Sequence, residues 1–327
     1  MTVRVVTVVG LVVFVLIVLV PFWWIASMSF KTYEQVQFAT SIYVPRPFTW
    51  ENYTALWTAT RFPLWLRNSA VTAVLVTLVT TVVASLAGYA VARLRFPGRE
   101  SFASLILVLY LVPPALLFIP LYRVLAELGA TNSLAALVLS YPTFTVPFCT
   151  WLLIGFFKAL PTELEEAVLV DGATRAQALV RVLLPLAAPG IVASAIFAFT
   201  LSWNEFLYAL IFIQDETMTT VPFGLNLLIY GDVFPWGQLM AASVITTVPV
   251  VRPIHVHPSL DGRGAGGGLG EGLSAGGRRP LRRGGGVALD LVDGVVALAE
   301  VGRHRHVAGR APRHCRPRAA DEPAEQR

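Results

Sequence analysis

The first 250 residues of this 327-residue chain contain no histidine, one cysteine and few charges. Each shortage excludes something. All five histidines lie beyond position 251, so the earlier part holds no His-Glu-x-x-His zinc site and no Ser-His arrangement. The two cysteines, Cys149 and Cys315, are far apart, with neither metal-ligand spacing nor a disulfide framework. No Gly-Lys-Ser or Gly-Lys-Thr occurs, which excludes a phosphate-binding P-loop and its nucleotide cofactor. Charged residues make up only 14% against 55% hydrophobic residues, too apolar for a soluble globular protein. The net charge of +5 is no sign of nucleic-acid binding, because much of the basic excess follows residue 251.

What is present is a series of long apolar runs, which predicts an all-α polytopic membrane protein. Val5 to about Ile25 is long enough to span a bilayer and ends in the aromatic cluster Pro21-Phe22-Trp23-Trp24. No small-residue cleavage site follows, so the run reads as a retained helix within residues 1–30 rather than a signal peptide. Residues 31–64 form a polar, aromatic, extracytoplasmic loop. The second span runs from about Ser69 to Ala92 and the third from Phe102 to Val124, with Pro113, Pro114 and Pro120 inside it. The fourth covers Leu134 to Phe157, the fifth runs from Pro189 to near Ile213, and the sixth begins near Trp236 and is lost at Arg252. One N-terminal helix and a five-helix core over residues 65–251 thus make six spans, the last truncated to about 16 residues where a bilayer needs roughly 20.

Lysine and arginine set the orientation. Arg93, Arg95 and Arg99 follow span two, and Lys158, Arg175 and Arg181 follow span four. The loop from Asp215 to Asp232 has neither residue type. This places the N-terminus and the 158–190 loop in the cytoplasm.

That loop is the only long charged segment between apolar spans before residue 250. LPTELEEAVLVDGATRAQALVRVLLPLAAPG predicts two short amphipathic helices. Thr162 and Glu165 have capping-box spacing, Asp171-Gly172 is a turn signal, Thr174 suits the second N-cap, and Pro185 closes the second helix. Such an elbow is a contact surface for a soluble partner. Glu166-Ala167-Val168, Gly172 and Val182-Leu183-Leu184-Pro185 resemble the EAA loop of binding-protein-dependent ABC importer permeases, with Val168 in place of the third-position Ala and Val182 in place of Ile. Asn68-Ser69, Leu86-Ala87-Gly88-Tyr89-Ala90, Val112-Pro113-Pro114 with Ile119-Pro120-Leu121-Tyr122, and Ser202-Trp203-Asn204-Glu205-Phe206 are similar to the sugar-importer, maltose-type branch. The resemblance covers about residues 5–250.

The resemblance implies a multi-pass subunit of a prokaryotic cytoplasmic membrane, moving a sugar or related solute by alternating access. It implies two ATP-binding subunits, a second permease subunit and an extracytoplasmic solute-binding protein as partners, with hydrolysis done by those ATPases and no cofactor in this chain. Glu166, Ala167, Val168, Asp171, Gly172, Val182, Leu184 and Pro185 become the coupling surface. Trp203, Asn204 and Glu205 are candidates for a polar path, since an acidic residue in a membrane span is costly. The alternative for Glu205 is an interfacial carboxylate hydrogen-bonded to a neighbouring helix. Tyr141, Phe144 and Phe148 read as helix packing rather than sugar stacking.

Residues 252–327 change character, becoming rich in Gly, Arg, Ala and His, and read as disordered. Synonymous codons for Val251 to Ser274 exist that, shifted by one nucleotide, encode an apolar ending, a Val-Lys-Gly terminus similar to the family's, and a stop. A reading-frame shift accounts for the tail economically. Four rivals remain at this level. A secondary transporter would need membrane-embedded ion ligands in inverted repeats, and Glu205 is thin support. An intramembrane enzyme would need convergent catalytic groups. A structural protein, or a truncated and inactive permease, would tolerate changes in the elbow.

Overall fold

In the computed structural model, residues 2–38, 43–230 and 234–256 are described, and helices make up most of that backbone. The long α1, Thr2–Ser29, is followed by α2, Tyr33–Gln37, and α3, Glu51–Thr58. Apolar side chains from Val6 to Val20 on α1 are exposed, the surface expected of a helix facing lipid. Beyond Ser29 the polar loop is tied back to it. The Ser29 and Tyr53 hydroxyls lie 2.8 Å apart, and Asn52 Nδ2 donates to the Ser29 and Lys31 carbonyls.

The second span is α4, Phe62–Arg93, 32 residues starting with Pro63 in its first turn. It runs uninterrupted, because the only proline sits where its missing N–H costs nothing. It packs on α8 and α12 at the centre of the molecule. Gly88 brings its backbone against Leu153, and the hydroxyls of Thr80 and Thr145 meet at 2.7 Å across the α4–α8 contact.

The third span is not one helix. It divides into α5, Arg99–Leu111, and α6, Pro114–Glu127, bent by 96°. Pro113 and Pro114 cause the break: neither has an N–H to continue the helical ladder, and each disfavours helical backbone in the residue before it. The fourth span keeps its direction through α7, Leu134–Ser140, and α8, Pro142–Ala159, with Pro147 inside.

The elbow comprises α9, Glu163–Val170, then α10, Arg175–Ala178, a π-turn at Leu179–Leu183, and α11, Leu184–Leu186. The fifth span, α12, Ala188–Trp203, leaves the elbow at 78°. Sequence reading carried this span to Ile213. Instead it ends at Trp203, and a separate α13, Leu207–Phe212, follows. After a 3-10 turn at Glu216–Met218 come α14, Val221–Leu227, and the sixth helix α15, Trp236–Val256. The apolar stretch of α15 stops at Val251, as the composition indicated, but its helical backbone continues past Arg252 to 21 residues in all. The remaining tail, and with it the frameshift reading, lies outside the described residues.

Among the described residues, three helices are long and apolar enough to cross a membrane, or up to five if each bent pair counts as one span, with Trp236–Val251 a shorter apolar helix besides. The all-α, multi-pass architecture expected from the sequence is therefore present.

Candidate functional site: the elbow and its anchorage

In α9 three acidic residues, Glu163, Glu165 and Glu166, occupy the first turn, where the helix dipole favours them. The expected capping box does not form: Thr162 makes no side-chain cap. Glu165 turns away from its own helix. Its carboxylate is almost completely buried and accepts a 2.9 Å hydrogen bond from the Tyr89 hydroxyl near the end of α4. Arg175, at the start of α10, approaches the same carboxylate at 3.9 Å. The Arg93 guanidinium, one helical turn beyond Tyr89, donates to the Leu160 carbonyl where α8 ends.

The turn between the two elbow helices has a definite geometry. Gly172 has φ +86°, its N–H reaches the Leu169 carbonyl, and the Ala173 N–H reaches Val168. This paired closure is a Schellman motif, and a side chain at Gly172 would strain it. Thr174 caps α10 as expected, in a full capping box with Gln177. Pro185 does not close the second helix. The chain passes it through the preceding π-turn and stays helical to Leu186, widening by one residue where proline supplies no N–H.

Burial divides the elbow into two faces. Leu179, Leu183 and Ala187 join Ala84, Tyr89, Cys149, Leu153 and Phe157 in one apolar cluster. On the other side Glu166, Ala167, Asp171 and Gly172 are exposed. Val170, with 87% of its surface free, and Val180, with 61%, are exposed beside them. Val168, Val182 and Leu184 are half-buried, and Pro185 is exposed. A cleft lined by Arg93, Arg95, Thr162, Glu165, Glu166 and Arg175 runs between the end of α4 and α9. The arrangement is a short helix fixed on its inner side, with a mixed acidic and apolar outer side.

The candidate path residues lie together where α12 breaks. Trp203 is buried, stacks on Phe199 at 5.4 Å and donates from Nε1 to the Thr246 carbonyl of α15. Asn204 is exposed and caps the end of α12 through Thr200. The Glu205 carboxylate accepts the backbone N–H groups of Tyr208 and Ala209, which start α13. It therefore does local structural work at the break, satisfying backbone donors that the start of a helix leaves free. Tyr141 is fully buried and its ring meets Phe144 and Tyr208, while Phe148 packs edge-on against Phe197. These contacts fit the packing role expected of the three aromatics.

Sequence reasoning singled out Glu166 but missed the anchorage by Glu165, Tyr89 and Arg93. The available signal was the four-residue spacing of Tyr89 and Arg93, which puts them on one face of the last turns of α4.

Comparison with known proteins decides the class. Residues 81–252 match the family model described as binding-protein-dependent transport system inner membrane component. The chain belongs to this family. It is an ABC importer permease, as the elbow pattern implied. It is 38% identical over 252 residues to the trehalose/maltose transport system permease protein MalG of Thermococcus litoralis, covering 76% of this chain and 90% of that one. It is 37% identical to the sulfoquinovosyl glycerol transport system permease protein SmoH of Agrobacterium fabrum, over 71% of this chain and 81% of that one. It is 33% identical to the trehalose transport system permease protein SugB of Mycobacterium tuberculosis, over 71% and 85%. These relatives place the permease in the sugar-importer branch. A crystal structure of a bacterial ABC transporter involved in import of the acidic polysaccharide alginate shares the fold, with TM-score 0.65 and 20% identity over 77% of this chain and 94% of that one.

Proposed function

We propose that this permease carries a di- or oligosaccharide, or a related glycoside, across the cytoplasmic membrane, driven by separate ATPase subunits that dock on the elbow. The observation that carries the coupling reading is the two-faced elbow: anchored by Glu165, Leu179 and Leu183, and presenting Glu166, Ala167, Val170 and Asp171 outward. An exposed apolar and acidic helix face of this kind fits a groove in a soluble partner. Val168, Gly172, Val182, Leu184 and Pro185 shape and support that face. The substrate class is supported by the three relatives reported above, each named as a permease for a sugar or sugar derivative.

The working assembly contains two ATP-binding subunits, a second permease and an extracytoplasmic solute-binding protein. The elbow and the N-terminus face the cytoplasm, in agreement with the arginines at positions 93, 95 and 99 and with the Lys- and Arg-free segment 215–232. Closure of the ATPases on ATP moves the elbow and rocks the helices between inward- and outward-open states. Trp203, Asn204 and Glu205 lie beside the path at the α12 break, and Glu205 holds that break in shape.

The test is co-purification. Ala167→Arg puts a large charge on the exposed face of α9 without touching the buried side. The ATPase subunits are expected to be lost from the detergent-purified complex while the permease still inserts in the membrane. Full retention of the ATPases by this variant overturns the coupling assignment.

A further inference from the structure

Among the described apolar helices of spanning length, α4 alone has no proline beyond its first turn. Pro21 lies inside α1, Pro113 and Pro114 break the third span, and Pro142 and Pro147 lie within the fourth. The fifth span is split at residues 204–206, and Pro249 and Pro253 fall inside α15. With 32 residues rising about 1.5 Å each, α4 is a single uninterrupted helix about 48 Å long.

Both ends of α4 are keyed by side chains to segments outside the bundle. At the elbow end, Tyr89 sets its ring edge-on against Phe157 of α8, 6.2 Å between centroids, and its hydroxyl on the buried Glu165 carboxylate of α9. The donor is matched to a carboxylate withdrawn from solvent, a setting in which a hydrogen bond to charge is strong. Arg93 adds the Leu160 carbonyl from the same face.

At the far end, Asn68 and Ser69 are both buried. Asn68 Nδ2 donates to the carbonyls of Thr217 at 2.8 Å and Thr219 at 3.0 Å. Ser69 Oγ accepts the Val221 N–H at 2.8 Å. These three bonds fasten the segment between α13 and α14 to α4 across about 150 residues of sequence. Asn132 holds the start of that segment as well, accepting the N–H groups of Gln214 and Asp215.

We infer that α4 is the rod that carries movement of the elbow to the 215–221 loop at its opposite end, keyed by Tyr89–Glu165 on one side and by Asn68 and Ser69 on the other. A rigid helix locked at both ends moves the two segments together, whereas a kinked helix absorbs displacement at its kink. The solute-facing side of the transporter is thereby told the state of the ATPases. Tyr89, Glu165, Asn68 and Ser69 are positioning residues in this scheme. It rests on the elbow being the coupling surface.

Spin-label distances test it in the full complex, co-expressed with its ATPase and second-permease genes, in a Cys315→Ser background. One pair, Ala176→Cys on the exposed side of α10 with Leu86→Cys, spans the elbow and α4. A second, Leu86→Cys with Gln214→Cys, spans α4 and the loop. Both distances are expected to stay narrow and unchanged between nucleotide-free and vanadate-trapped MgATP states. Tyr89→Phe should make only the first pair broad or nucleotide-dependent, and Asn68→Leu only the second. Either variant should also lower vanadate-trapped conversion to the outward state by roughly fivefold. A wild-type distance that shifts on trapping by more than its own width overturns the rod. So do narrow distances and normal trapping in both variants. A complex from which the ATPases fall away only when Tyr89 is changed would point to a docking role instead, and likewise overturns it. Ala167→Arg reports separately on the coupling surface, so failure of the rod and failure of the docking reading are distinguishable.

Discussion

At residue scale, the chain repeatedly uses a polar side chain to complete backbone bonding where a helix stops. Glu205 does this for the start of α13, and Asn204 for the end of α12. Glu205→Gln keeps a carbonyl oxygen in place and should preserve the break, whereas Glu205→Leu removes the acceptor and should cost about 1 kcal/mol, the usual value of an N-terminal cap. Thermal unfolding of the two purified variants separates them, and equal losses would contradict a capping role. Asp215 offers a pH-dependent case. Its carboxylate accepts the Thr217 N–H at 2.8 Å, and hydrogen bonds from Thr217 hold it below the ordinary aspartate range. A depressed folded value means the bond's contribution is complete above about pH 4, the ordinary aspartate value, and is lost as pH falls through the lower folded one. Hydrogen exchange corrected for intrinsic rate should show the Thr217 amide losing protection on acidification through that window, and Asp215→Asn should remove the dependence.

At the scale of elements, proline position sorts the helices. Prolines in the first turn are harmless, as Pro63 is in α4, while the Pro113-Pro114 pair bends the third span by 96°. The close approach of α4 and α8 depends on Gly88, where an added Cβ would sit 3.1 Å from Leu153 Cβ. Gly88→Leu overpacks this contact, with an expected cost of about 1–3 kcal/mol, read as a lower melting temperature of the detergent-solubilised permease. The elbow's own architecture was mostly legible: Thr174, the Asp171-Gly172 turn and two short amphipathic helices all follow from local chemistry. The Thr162–Glu165 capping box was not, because Tyr89, 76 residues earlier in the chain, competes for Glu165 and wins with a buried bond.

At the scale of the whole molecule, the six-span reading and the orientation make one prediction together. An impermeant maleimide should label Gln214→Cys in intact cells or spheroplasts, and Arg99→Cys only after the membrane is opened. Gln214 is exposed and Arg99 half-buried, so each can be reached from the side it faces, and the order of labelling reports that side. The reverse pattern would invert the topology and remove the elbow from the reach of any cytoplasmic ATPase.

The sequence by itself determined the class, the number of apolar runs and the location of the elbow. Those features are written in hydropathy, in the Lys and Arg distribution and in short-range spacing, each of which acts within a few residues or one span. Only the tertiary structure decided which glutamate is buried, where the third and fifth spans break their direction, and that α4 is fastened at both ends. Hydrogen bonds such as Asn68 to Thr217 and Tyr89 to Glu165 join positions 149 and 76 residues apart. No local periodicity records such partners, because they become neighbours only when the helices pack.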